Sequence, residues 1–185
     1  MDFRLDAEHR YWLGEQRLPG VTEIIDYHGF IPDFSKDEER AEEGQVTHEA
    51  AALLFQKRLD WLSVDAVILG FVTSLNLWIT ATDFCAEATE LTLHDSALLF
   101  AGSLDVDGHT PKGSRWIIDL KTGQPARWHK WQTAGYRILL GEYRRRGALY
   151  LQKDGRMARF KEHTEETDEA EFISMRNVFR MKEGY

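Results

Sequence analysis

A short apolar segment that ends in charged residues sets the strongest limit on the fold of this chain. Trp116, Ile117 and Ile118 directly precede Asp119, and such a run has the profile of a buried central strand. A charged side chain at the end of a buried strand needs a partner or a function, because an unpaired buried charge is costly. Asp119 and Lys121 are two positions apart, so both side chains leave the strand on the same face. The segment therefore predicts a sheet with a polar site at one strand end.

Hydrophobic periodicity and turn residues predict the other elements. The expected strands are Phe3–Leu5, Arg10–Leu13, Gln16–Leu18, Ala88–Leu93, Ala97–Val106, Arg115–Leu120, Ala148–Gln152 and Met157–Lys161. The expected helices are a short one capped by Thr22 and ending at Tyr27, one over Lys36–Leu59 with a break near Gly44, and three more over Asp65–Asp83, Arg127–Arg145 and Asp168–Lys182. This order predicts a mixed α/β domain, in which a central mixed β-sheet is flanked by helices.

Length and composition predict one globular domain. The chain has 185 residues, of which 43% are hydrophobic, enough for one compact core and too few for two. We expect an N-terminal hairpin and short helix over residues 1–35, a core over 36–161, and an acidic segment with a helix over 162–185. The sequence shows neither a membrane-spanning apolar run nor a signal peptide. The single cysteine, Cys85, excludes an internal disulfide and cysteine-ligated zinc, so we expect a cytoplasmic protein.

The charge distribution is uneven. The formal net charge is −8, which by itself argues against nucleic acid as a partner. Between Arg137 and Lys161, however, basic residues outnumber acidic ones by six. The run Arg144, Arg145 and Arg146 lies in this segment and is a candidate for phosphate contacts, although a solvated helix end would give the same pattern.

Asp105 adds a second carboxylate to the predicted site. It lies near the end of the strand that precedes Asp119, and pairing of the two strands would bring both carboxylates together. Two close carboxylates repel each other unless a cation lies between them, and oxygen ligands suit Mg²⁺ or Mn²⁺. Lys121 beside that ion would position a water or stabilise charge on a phosphate. The alternative is that Asp105 and Asp119 only end strands and that Lys121 is a solvated edge residue.

Two helices carry further candidate residues. Small residues follow His48, so its helix can pack closely on the sheet and direct the imidazole towards the metal. Gln132 and Tyr136 are four positions apart on one helical face, where they offer hydrogen-bond donors and a stacking ring to DNA. The alternatives are an ordinary surface or core histidine, and an amphipathic helix with Tyr136 in the core.

Taken in order, these segments resemble the RecB-type branch of the PD-(D/E)xK nucleases. The matching motifs are Gly44–His48 on a helix, Gly102–Asp105 and Asp119–Gly123 on strands, and Gln132–Tyr136 on a helix. The opening Tyr11–Ile25 also resembles the leading hairpin of stand-alone phage and mitochondrial exonucleases of this branch. The resemblance implies a restriction-endonuclease-like core.

The resemblance also implies a role for each motif residue. The implied metal ligands are His48, Asp105, Asp119 and the Leu120 carbonyl. Lys121 would be the catalytic lysine, whereas Gln132 and Tyr136 would contact the DNA end. The sequence has neither the cysteines that hold an iron–sulfur cluster in several relatives nor a phosphate-binding ATP loop, so we expect neither cofactor.

The leading hypothesis is a metal-dependent exonuclease that hydrolyses single-stranded or end-resected DNA in phage-type replication, recombination or repair. A recombination or replication protein is a candidate partner, and no membrane is expected. The main alternative is a DNA-binding scaffold that kept the fold and lost catalysis. A restriction-type endonuclease is a third reading, but the length leaves no evident recognition domain.

Overall fold

The structure is a computed structural model that describes residues 2–32 and 38–184. Its strands are β1 (Phe3–Leu5), β2 (Tyr11–Leu13), β3 (Gln16–Leu18), β4 (Cys85–Asp95), β5 (Phe100–His109), β6 (Arg115–Lys121), β7 (Arg145–Tyr150) and β8 (Arg159–Glu162). Its α-helices are α1 (Val21–Tyr27), α2 (Glu38–Phe55), α3 (Ala66–Thr82), α4 (His129–Leu140) and α5 (Asp168–Glu183), with a 3₁₀ helix at Trp61–Ser63. The predicted mixed α/β class is confirmed.

The main sheet has the strand order β4-β5-β6-β7-β8, with β6 in the centre as predicted. Neighbouring strands are antiparallel except β6 and β7, which are parallel. A parallel pair needs a crossover connection, and α4 lies in the chain between these two strands. The carboxyl ends of β6 and β7 therefore meet at one edge of the sheet, where Lys121 pairs with Tyr150.

Helices cover both faces of this sheet and form two apolar cores. Helices α1, α4 and α5 pack on one face, and their shared core contains Ile25, Phe100, Ile117, Leu139 and Phe172. Helices α2 and α3 pack on the other face, and their shared core contains Ala51, Phe71, Leu75, Ile118 and Leu149. Among the helices within the described ranges, none is long and apolar enough to cross a membrane.

The three N-terminal strands form a separate antiparallel sheet. The chain then joins the main sheet through an isolated parallel bridge between Gly20 and Ala101, and the Ala101 amide donates to the Pro19 carbonyl at 3.0 Å. The Gly20 amide also donates to the Glu23 carboxylate at 3.2 Å. Gly20 is therefore the N-cap of α1, and Thr22, the predicted cap, lies inside the helix.

Two predicted helices have different bounds in the structure. Helix α2 continues through Gly44 without a break and ends at Phe55, whereas the predicted start at Lys36 lies outside the described residues. Helix α4 ends at Leu140, because Gly141 adopts a left-handed conformation (φ 68°) and its amide caps the last turn. Arg145, the predicted helix end, instead begins β7.

Candidate metal centre

The site begins where β5 and β6 separate. Their backbone pairing extends towards the site only as far as Val106 and Ile118. Beyond that pair, the Leu120 amide donates to the Asp105 carboxylate at 2.6 Å instead of to a carbonyl of β5. The amide and carbonyl of one residue in an extended strand face the same neighbour. The Leu120 carbonyl therefore faces the same gap as the Asp105 carboxylate.

Helix α2 brings His48 to this gap. The His48 Nδ1 atom lies 3.3 Å from Asp105 Oδ1. The small residue Ala51, one turn further along the helix, is buried in the core shared with the sheet. A Cβ atom added to Gly44 would make only ordinary van der Waals contact with the Thr122 hydroxyl, at 3.8 Å. The close approach that brings the imidazole beside the carboxylate is therefore at Ala51.

Asp119 and Lys121 lie on the adjacent strand as a close ion pair. The Lys121 Nζ atom is 2.8 Å from Asp119 Oδ2, and the Asp119 side chain is only 1% exposed. The Lys121 side chain is 15% exposed, so its ammonium group lies at the boundary between the sheet interior and solvent. The charges of Asp105 and His48 act on Asp119, so this ion pair lies near the place where the two strands separate. Among the described residues, however, Asp119 does not belong to the group of candidate metal ligands whose atoms lie within 4.8 Å of one another.

Glu90 is a further candidate ligand that the sequence analysis missed. The register of β4 against β5 places it opposite Asp105, and ligand atoms of His48, Glu90 and Asp105 lie within 4.8 Å of one another. Its backbone is left-handed (φ 52°), a conformation that is strained for a non-glycine residue. The available sequence signal was that Glu90 is the one acid in the predicted strand Ala88–Leu93, although β4 as it is folded also contains Glu87 and Asp95.

Two acids of this site, Asp119 and Glu90, hold protons more strongly than usual. Burial, offset in part by Lys121 and reinforced by Asp105, raises the pKa of Asp119 to about 6. Loss of hydration and the charge of Asp105 raise the pKa of Glu90 to about 7. Burial is the larger cause of both shifts and repulsion by Asp105 the smaller, and a bound cation would oppose both effects.

Asp105 and His48 are shifted as a pair. Burial opposes ionisation of both side chains, but their mutual attraction prevails. The pKa of Asp105 is therefore held below its usual value, and the pKa of His48 is raised to about 9. A divalent ion would replace the proton of His48, because a ligating imidazole must be neutral. Carboxylate oxygens with one imidazole nitrogen form a donor set that fits Mn²⁺ or Mg²⁺.

Gln132 and Tyr136 lie behind the acids and not on an accessible surface. Both are buried, and the Gln132 Nε2 atom donates to Tyr136 Oη at 2.9 Å and to Thr22 Oγ1 at 3.3 Å. The pKa of Tyr136 is raised by burial and then by the charges of Asp119 and Asp105, so its hydroxyl lies near the site. The structure therefore gives these residues a supporting position and does not support their predicted contact with a DNA end.

The arginine run also differs from its prediction as a DNA-binding track. Arg144 is buried against Asp107 at 3.0 Å, and Arg146 is buried against Asp168 at 2.5 Å. Arg145 pairs with Trp116 at the opposite end of β6 from Lys121, a separation of about 16 Å along the strand. Arg144 and Arg146 therefore form structural ion pairs with Asp107 on β5 and Asp168 on α5, which are distant in the sequence.

No protein-family model matches this chain, and no curated protein matches it significantly. A solved structure described as "Crystal structure of SSO0001" is 18% identical to it, with a TM-score of 0.45. The match covers 92% of this chain and 79% of the other. This likeness is too distant to support a functional argument.

Proposed function

We propose that this protein is a metal-dependent nuclease of the PD-(D/E)xK type that hydrolyses phosphodiester bonds in DNA. The carrying observation is the convergence of His48, Asp105, Asp119 and Lys121 where β5 and β6 separate. Single-stranded or end-resected DNA in phage-type replication, recombination or repair is the proposed substrate, and the cytoplasm is the proposed location.

The metal-binding groups in this proposal are the His48 imidazole, the Asp105 and Asp119 carboxylates and the Leu120 carbonyl, with Glu90 as an additional carboxylate. A bound Mg²⁺ or Mn²⁺ would polarise the phosphate and lower the pKa of a ligated water. The residues themselves provide the fixed geometry. The Leu120 amide orients Asp105, and Asp105 in turn orients His48.

Lys121 has a different task, because an ammonium group has no lone pair for a metal. Asp119 holds its Nζ atom beside the acids. From this position, Lys121 would orient the attacking water or stabilise the negative charge that develops on the phosphate. Water would add to phosphorus as the bond to the leaving oxygen breaks.

The test is incubation of the protein with end-labelled linear and circular DNA, each single- and double-stranded, in Mg²⁺, Mn²⁺ or EDTA. We expect metal-dependent cleavage of linear single strands and none in EDTA. A Lys121→Ala protein purified in the same way controls for contaminating nucleases. If the wild-type protein binds Mn²⁺ and DNA but cleaves no substrate, the scaffold alternative replaces the nuclease.

A further inference from the structure

A cleft of about 690 Å³ opens directly beside the candidate metal centre. Helix α2 forms one wall, the segment between β6 and α4 forms another, and the chain around β7 and β8 completes it. His48 and Lys121 both line it, so the cleft is continuous with the site. A substrate strand bound at the site could therefore extend into this cleft from the scissile phosphate.

The lining of this cleft is basic although the whole chain is acidic. Among the residues that the structure describes, its charged side chains apart from histidines are four cations and one acid: Arg40, Lys121, Lys153, Arg159 and Glu43. The net charge of the full chain is −8. A cleft of the opposite sign concentrates anionic ligands. The charge pattern thus points to an anion, such as the backbone of a nucleic acid.

Arg159 is the cation in this lining that is best placed for an external phosphate. Lys121 is paired with Asp119, and Lys153 is paired with Glu43. Arg159 is exposed and makes no ion pair with the residues that the structure describes. It pairs with Tyr150, which itself pairs with Lys121. Arg159 therefore lies at the same end of the sheet as the candidate metal centre.

Trp128 provides an aromatic surface in the same cleft. The ring is half-buried at the start of α4, and the Lys121 Nζ atom lies 5.2 Å from its centroid. The ring of His129 packs edge-on against it, with centroids 4.2 Å apart. His129 is itself buried and fixed by a 2.9 Å hydrogen bond with the Tyr150 hydroxyl. Trp128 is therefore an aromatic group held in place beside the catalytic lysine.

We propose that this cleft binds the unpaired nucleotides next to the scissile phosphate, with one base stacked on Trp128 and a phosphate bound by Arg159. The inference rests on the proposed nuclease function of the adjacent site. An aromatic ring stacks on a base face only when that base is free of its own duplex stack. The cleft therefore selects a single strand, and it does so without reading the base sequence.

The proposal can be tested by fluorescence anisotropy of the full chain in EDTA, so that no strand is cleaved. The probes are single-stranded oligonucleotides that carry one abasic site at each position in turn. One position should weaken binding by roughly 5- to 150-fold, the effect of losing one stacked base. In Trp128→Ala, intact DNA should bind correspondingly more weakly, and the same abasic site should have no additional effect. Trp128→Phe should retain most of the affinity if the ring acts by stacking.

Arg159→Gln tests the phosphate contact. Loss of one contact should reduce the slope of log affinity against log salt by about 0.7. The matched control is Arg156→Gln, which removes an exposed arginine three residues before Arg159, in the β7–β8 connection. This arginine is paired with Asp154 and does not line the cleft. This control should leave both affinity and slope unchanged.

The outcomes separate this proposal from the nuclease assignment. If wild-type protein cleaves DNA but the abasic scan is flat, or Trp128→Ala and Arg159→Gln bind like the control, the cleft proposal is overturned and the nuclease stands. The abasic scan could instead show one nucleotide position whose effect on binding disappears in Trp128→Ala, while no DNA is cleaved. In that case the cleft proposal stands and the nuclease assignment fails. Tighter binding of duplex than of single-stranded DNA would also overturn the cleft proposal.

Discussion

Two groups of buried charges in this protein use similar residues in opposite ways. At the carboxyl end of β6, His48 and Lys121 lie among the carboxylates of Asp105 and Asp119. Between β7, α4 and α5, Asp168 accepts from Arg146 at 2.5 Å and from Lys130 at 2.6 Å, and Arg146 also donates to the carbonyls of Lys130 and Glu165. Both groups are largely removed from solvent, but of these three carboxylates only Asp168 has a cation on each of its oxygens.

Asp168 and Asp119, one from each group, have pKa shifts in opposite directions. Burial opposes ionisation of Asp168, but hydrogen bonds from Lys130 and Arg146 prevail and hold its pKa below the usual value. The pKa of Asp119 is instead raised to about 6 despite its contact with Lys121. Burial opposes ionisation of both carboxyls; two cations overcome it at Asp168, whereas at Asp119 one cation does not and the charge of Asp105 adds to it. Asp105 resembles Asp168 in this respect, because His48 and Lys121 hold its pKa below the usual value. The fold therefore neutralises Asp168 by itself, whereas a bound cation would relieve the raised pKa of Asp119.

The largest expected effect is on catalysis at the metal site. Lys121→Ala should reduce single-turnover cleavage by about 10²–10⁴ while leaving Mn²⁺ affinity nearly intact, because it removes charge stabilisation and not a ligand. Asp119→Ala should lose both activity and Mn²⁺ binding. Cleavage assays paired with calorimetric Mn²⁺ titration distinguish the two variants. Wild-type cleavage by Lys121→Ala would show that the catalytic assignment is wrong.

In the group formed by Arg146, Lys130 and Asp168, the expected effect is on the stability of the fold. Arg146→Met should lower the free energy of unfolding by about 3–5 kcal/mol, because it leaves the buried Asp168 charge without its main partner. Mn²⁺ affinity of the folded protein should not change. Urea denaturation and calorimetry measure the two quantities. A variant that keeps its stability but binds Mn²⁺ more weakly would contradict the separation of the two groups.

His48 and Asp168 should also respond oppositely to pH in EDTA. His48 has a pKa of about 9 in the fold, above its ordinary value, so its stabilisation is complete below about pH 6.5 and is lost as pH rises through 9. Asp168 has a lowered pKa, so its stabilisation is present at neutral pH and is lost in acid.

Melting temperatures of the wild-type protein should therefore fall at both alkaline and acid pH. The fall at alkaline pH should be smaller in His48→Gln, and the fall at acid pH should be smaller in Arg146→Met. In Mn²⁺, the alkaline loss should disappear, because ion and proton compete for the same ligands and metal affinity rises with pH. An alkaline loss that is identical in the wild-type and His48→Gln proteins would contradict the proposed pairing with Asp105.

Glu90 gives a smaller test in which stability and metal affinity move in opposite directions. Glu90→Gly should stabilise the metal-free protein by about 1 kcal/mol, because glycine removes the left-handed strain. It should also weaken Mn²⁺ binding by on the order of 10-fold or more, as removal of a ligating group does. Glu90→Gln also removes the charge but keeps the strain, so it should weaken Mn²⁺ binding similarly and should be about 1 kcal/mol less stable than Glu90→Gly. Unchanged Mn²⁺ affinity in both variants would exclude Glu90 as a ligand.

Sequence patterns predicted the features that depend on local spacing. The two-residue period of β6 placed Asp119 and Lys121 on one face, and the apolar run before them identified the central strand. The positions of Arg144 and Arg146 were not predictable in this way. Their partners, Asp107 and Asp168, lie 37 and 22 residues away in the chain, and nothing local to a triple arginine distinguishes burial from exposure. The contribution of Glu90 depends on a backbone angle and on a strand register, neither of which its neighbours in sequence specify.

The smallest effect is expected for a substitution of Arg145. It tests the conclusion that the run Arg144–Arg146 is not part of the DNA-binding surface. Its side chain is 45% exposed, pairs with Glu162 at 2.8 Å and lies over the Trp116 ring. Arg145→Gln should therefore lower the free energy of unfolding by about 1 kcal/mol or less, the usual contribution of an exposed pair and a cation–π contact. Because Arg145 lies at the far end of β6 from Lys121, its loss should leave the salt dependence of DNA binding unchanged, whereas Arg159→Gln should reduce it. Anisotropy titrations of the two variants over the same salt series make this comparison. A reduced slope in Arg145→Gln would return the arginine run to the DNA-binding surface and would move the substrate path to the opposite end of the sheet.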